Sequence, residues 1–144
     1  MAEILETVLA EFEKLAAIPR PSKHEAAVSN FLREYLSELG ITAVQDLSGN
    51  VIAEIPANVL HMDMVCVAET GCDFDALKDS IKLVRTEKFL EAEGTSLGAD
   101  DGMGIAEILY VVKNRADFNH GPIRVIFTVD EEQGMSGAQN LDAK

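Results

Sequence analysis

Apolar and polar positions alternate along this chain with two different periods, and the changes of period mark out its elements. From residue 3 to residue 17, Leu5, Val8, Leu9, Phe12, Leu15 and Ala16 recur at helical spacing with Glu and Lys between them. The stretch "PRPS" then stops the helix, because proline has no N–H to continue the ladder and its ring crowds the preceding turn. A second helix is expected from Ser22, where Ser22 and Glu25 are spaced as a capping box, to Gly40. Its apolar stripe is Val28, Phe31, Leu32, Tyr35, Leu36 and Leu39.

Beyond Gly40 the period shortens. "ITAVQDL", a turn at "SGN" and "VIAEI" read as two strands. "ANVLHM" reads as a short strand running straight into His61, and residues 65 to 80 as irregular and acidic. "IKLVR", "TEK" and "FLEAEG" form a hairpin pattern. "TSLGADDGMG" is a Gly-rich loop opening a helix from about Asp101 to Lys113, turned inward on Ile105, Ile108, Leu109 and Val112. Ile123 to Val129 is an apolar strand that stops at three acids, Asp130 to Glu132. Helices interleaved with buried-looking strands predict an α/β architecture, a mixed sheet flanked by helices.

Composition narrows the function classes. A chain of 144 residues, 47% hydrophobic and 26% charged, has the size and make-up of one ordinary globular domain. A net charge of −13, from 25 acids against 12 bases, argues against nucleic acid or an anionic membrane as partner. Neither a membrane-spanning run nor a leader pattern is visible at the acidic, amphipathic N-terminus, so a cytoplasmic location is expected. Cys66 and Cys72 are too few for a disulfide scaffold and too far apart for a zinc knuckle; both are expected as free thiols.

Three stretches put polar chemistry at the end of an apolar element. In "HMD", His61 and Asp63 lie two apart on a strand and share a face, where a carboxylate can fix the tautomer of a metal-binding imidazole. The plainer alternative is a hydrogen-bonded pair pinning a strand end. "GADDG" cannot be a phosphate loop, since it lacks the Lys-Ser/Thr of one and two aspartates repel phosphate. Helix capping accounts for Asp101 but not for Asp100 among glycines. In "VDEEQG", one glutamate could bind a cation while its neighbour acts as a general base, against the plainer reading of a solvated loop. His24 and His120 are expected at the surface, and the methionines as packing. One histidine with several carboxylates suits Zn, Mn or Co.

"HMDMV", "GTSLGADDGMGIA" and "GPIRVIFTVDEEQGMSGA", in this order, resemble the aminoacyl-histidine (Xaa-His) dipeptidases of the di-zinc aminoacylase/carboxypeptidase superfamily. The resemblance implies a zinc-exopeptidase-like catalytic domain and two zinc ions per complete site. His61, Asp100 and Glu132 would be metal ligands, Asp63 would hold His61, and Glu131 would be the general base. The implied substrate is a small dipeptide. The chain departs from the family in carrying Asp101 where Asn is usual and in a shortened segment between Pro56 and His61. The resemblance further implies that residues 1–144 are the N-terminal portion of the catalytic domain, incomplete as a catalyst, whose uncovered apolar faces favour self-association. Another peptidase or acyl-amino-acid hydrolase of the superfamily, a non-catalytic metal-binding module and a purely structural domain are the competing readings.

Overall fold

The computed structural model describes residues 2–59, 64–71 and 80–142. Helix α1 (Ala2–Ala16) buries Val8, Phe12, Leu15 and Ala16, while Leu5 of the expected stripe is exposed. Helix α2 spans Ala26–Glu38 and closes at Gly40, whose positive φ of 74° suits a residue without Cβ. Strands β1 (Ala43–Gln45) and β2 (Val51–Ile55) follow, then β3 (Met64–Glu69) and the hairpin β4 (Leu83–Arg85) and β5 (Leu90–Ala92). Helix α3 (Ala99–Lys113), strand β6 (Ile123–Thr128) and the short helix α4 (Ser136–Gln139) complete the described fold.

Four strands form one sheet in the order β1-β2-β6-β3. β2 pairs antiparallel with both β1 and β6, and β3 runs parallel to β6 with Met64 opposite Ile123 and Glu69 opposite Thr128. The sheet is therefore mixed, and the α/β expectation holds.

All three long helices cover one face. Phe12, Leu32, Leu36, Ile105, Leu109 and Val112 pack there on Val51, Val125 and Phe127, every one of them fully buried. The inward stripe expected of α3 is buried throughout. On the other face, register aligns Val44, Ile52, Ile126 and Val67 in a row across all four strands. Val44 and Val67 are exposed and the two isoleucines only half-buried, so no described element covers that row.

The structure corrects the sequence reading at three places. Residues 65–69, expected to be irregular, belong to β3: Cys66 and Ala68 alternate inward against Val65 and Val67, the period of a strand with one covered face. The capping box at Ser22 does not form. Glu25 Oε1 instead accepts the N–H of Asp130 at 2.8 Å, a bond to the end of β6 that takes it away from the helix terminus. His120 is buried, not surface. Its N–H donates to Asn58 Oδ1 at 2.8 Å, its carbonyl accepts from Asn58 and Val59, and its Nδ1–H donates to Gly121 O at 2.6 Å. His24 is exposed as expected.

Candidate functional site

The C-terminal ends of β3 and β6 lie side by side because the two strands are parallel and in register. Loops leaving such strand ends are where α/β folds assemble ligand and catalytic groups. Thr70 pins the two ends together: its N–H and its hydroxyl both donate to Thr128 O at 2.8 Å. The chain then delivers Glu69 from one strand and Asp130, Glu131 and Glu132 from the other.

Asp130 turns the chain sharply, with φ of 60°, a left-handed conformation that Asp tolerates better than most residues. Its Oδ2 accepts from the Ser136 hydroxyl at 2.5 Å, and its carbonyl accepts the Met135 N–H at 2.7 Å, closing the acidic loop on itself. Asn50 braces the loop from beneath. Its Oδ1 accepts the Val129 N–H at 3.1 Å, and its amide donates to Gly137 O at 3.0 Å and to Asp46 Oδ2 at 2.7 Å. A Cβ at Gly137 would overlap Asn50 Oδ1 and lie 2.5 Å from Val129 O, so the glycine of "GMSGA" is required for this close packing. Glu131 and Glu132 are left exposed at the tip.

The "GADDG" turn arrives from α3. Asp100 and Asp101 have non-helical backbone angles, their peptide bond is cis, and the regular helix begins after them. Asp101 Oδ1 accepts the Gly104 N–H at 3.0 Å, the capping role its position suggested. Asp100 makes no such bond among the described residues and is exposed.

Glu69 ties these parts together and went unnoticed in the sequence. Its Oε1 accepts the Asp101 N–H at 3.2 Å and its Oε2 the Gly71 N–H at 3.0 Å. Burial pushes its carboxyl up from 4.5 to about 7, and the charge of nearby Glu131 adds to the rise. The two N–H bonds and the Arg20 guanidinium oppose that shift without cancelling it. Its signal was there to be read: an acid closing the apolar run "MVCVA", the same pattern that singled out the other three stretches.

Two of those three stretches, "GADDG" and "VDEE", thus meet at the Glu69 carboxylate. The third does not enter the geometry, because His61 and Asp63 lie outside the described residues. Met64, which follows them, pairs with Ile123 at the opposite end of β6. Among the described residues no three His, Cys, Asp or Glu side chains converge as a metal-binding group. The acids that are described form a carboxylate-rich edge.

The chain is 35% identical to the cytosol non-specific dipeptidase of Escherichia coli over 143 residues, covering 90% of this chain and 29% of that protein. It is 30% identical to peptidase T of Lactobacillus helveticus over 165 aligned residues, covering 88% of this chain and 40% of the relative. The crystal structure of aminoacylhistidine dipeptidase from Vibrio alginolyticus superposes with a TM-score of 0.86 at 34% identity, covering 95% of this chain and 30% of that one. The chain thus spans between 29% and 40% of the length of these proteins. No family model matches it.

Proposed function

We propose that this chain, which belongs to the peptidase family represented by the cytosol non-specific dipeptidases, peptidases T and aminoacylhistidine dipeptidases, is the N-terminal portion of a domain that hydrolyses peptide bonds. The observation that carries the reading is the meeting of the "GADDG" and "VDEE" acids at the ends of two parallel strands, around buried Glu69. Hydrolysis of an amide needs a group that takes a proton from water and returns it to the leaving amine. Glu131 is suited to this. It is exposed, sits near the Glu69 carboxyl that burial raises to about 7, and lies at the tip of a loop braced by Asn50 and Ser136. In the step, the water oxygen bonds to the carbonyl carbon, Glu131 accepts its proton, the C–N bond breaks, and the proton passes to the amine.

The finer reading is an Xaa-His dipeptide as substrate and zinc as cofactor, with Mn or Co as substitutes. His61, Asp100 and Glu132 would hold the metal, and Asp63 would orient His61. Bound there, the metal would supply a Lewis acid for the substrate carbonyl. This reading requires His61 and Glu132 to bind one metal, a requirement open to direct test.

A zinc titration by calorimetry on the chain, on His61→Ala, Glu132→Ala and Glu131→Ala, makes that test. Saturable binding lost in the first two variants and kept in the third is the expected result. Absence of binding in the parent refutes a zinc site within this chain. Binding indifferent to His61→Ala refutes the ligand set.

A further inference from the structure

We propose that Arg20 and Glu69 form a two-sided clamp that positions the "GADDG" turn at the end of β3, and that they are positioning residues for Asp100. The inference rests on the reading of Asp100 as a site group. Three segments far apart in sequence meet here: the "PRPS" turn, the end of β3 and the turn into α3.

Arg20 is fully buried. Its Nη1 donates to Thr70 O at 3.0 Å and Gly71 O at 2.7 Å, and its Nη2 to Gly98 O at 2.6 Å. The planar guanidinium fork can reach carbonyls of two segments at once, which a lysine ammonium on its flexible stem does not reproduce. Glu69 acts with the opposite polarity on the same two segments, accepting the N–H groups of Gly71 and Asp101. Carbonyls are gathered by the cation and amides by the anion, so neither segment can slide along the other without breaking a charge-assisted bond.

The packing leaves no slack. A Cβ at Gly102 would overlap the Arg20 guanidinium and lie 2.9 Å from the Phe12 ring. A Cβ at Gly71 would lie 2.8 Å from Ser22 Oγ and 3.1 Å from Glu69 Oε2. The main chain on both sides of the clamp is thus glycine because the clamp occupies the space. A buried acid and a buried base are costly to hold for packing alone. Their placement beside the only turn that presents Asp100 to the strand ends gives that cost a function.

The test is amide hydrogen exchange by NMR on the 144-residue chain, with Mn2+ affinity read by paramagnetic broadening. Glu69→Ala is expected to speed exchange at Asp101 and Gly71 about tenfold and leave the Val125 and Phe127 amides of β6 unchanged. Mn2+ affinity should fall about tenfold in the same variant. Glu69→Gln keeps one acceptor and should restore protection at one of the two amides, and Arg20→Lys should behave like Glu69→Ala. Unchanged exchange at Asp101 in both Glu69 variants overturns the clamp. Faster exchange spread equally into β6, or faster exchange with Mn2+ affinity intact, reduces the pair to a structural role and overturns the positioning. A parent that takes no Mn2+ refutes the metal reading instead, while exchange at Asp101 still decides the clamp.

Discussion

Replacing Glu69 by Gln should change how stability depends on pH. An acid whose folded value is raised favours the folded state while it is protonated, and the advantage disappears as pH climbs through that raised value. Below 4.5 Glu69 is neutral in both states; between 4.5 and about 7 only the unfolded chain ionises it, so folding loses ground. Above about 7 the folded protein carries the buried charge and the loss is complete. The gap from 4.5 to about 7 corresponds to about 3 kcal/mol in full. About 2 kcal/mol of it falls between about pH 5.5 and about pH 8. Gln has no such titration but leaves one N–H short of an acceptor, a penalty of about 1–3 kcal/mol that does not depend on pH. The decisive quantity is therefore the difference between variant and parent at two pH values, which cancels the constant penalty. Urea unfolding should show Glu69→Gln gaining about 2 kcal/mol on the parent from about pH 5.5 to about pH 8. Equal differences at both pH values would refute the assignment of a raised Glu69 carboxyl, whatever the sign at either one.

Other perturbations test separate parts of the structure. Gly102→Ala should destabilise by about 1–3 kcal/mol, since its Cβ would overlap Arg20 and crowd Phe12; chemical denaturation measures it. Phe127→Ala removes a fully buried ring from the centre of β6 and should cost about 3–5 kcal/mol by the same assay. Glu11 is buried, and although burial alone would raise its carboxyl, Lys14 at 2.6 Å and Lys113 at 3.0 Å hold it below its ordinary value. Its stabilising contribution is thus present above 4.5 and fades as pH falls through the lowered value. Glu11→Gln should accordingly be destabilising near neutral pH and approach the parent in strong acid.

What the sequence made legible follows from range. The helices α1, α2 and α3, the strands β2 and β6 and the β4–β5 hairpin were all readable, because a local period and a local stop signal define each. Gly40 and the "SGN" turn are cases where one residue type settles a backbone conformation. The capping box failed for the converse reason: Glu25 has the right local spacing, but the Asp130 N–H, far away in sequence, claims its carboxylate. His120 is buried where its N–H and carbonyl bond with Asn58, a partner no local pattern announces. The "GADDG" and "VDEE" acids were identified from their positions at element ends; that they share a neighbour in Glu69 depends on the parallel pairing of β3 with β6.

That pairing sets the character of the edge. Beside β6, Met64 to Ala68 turns Cys66 and Ala68 to the covered face at alternate positions. With 64–69 there, the residue that reaches the level of Thr128 is Glu69, which belongs to none of the three family-like motifs. Once there it is enclosed by Ser22, Glu25 and Gly71 on one side and bonded to Asp101 on the other. Burial there raises its carboxyl from 4.5 to about 7. A one-residue slip of β3 would turn its whole inward set to the exposed face, so the register that turns Cys66 and Ala68 inward is the same one that commits Glu69 to the site.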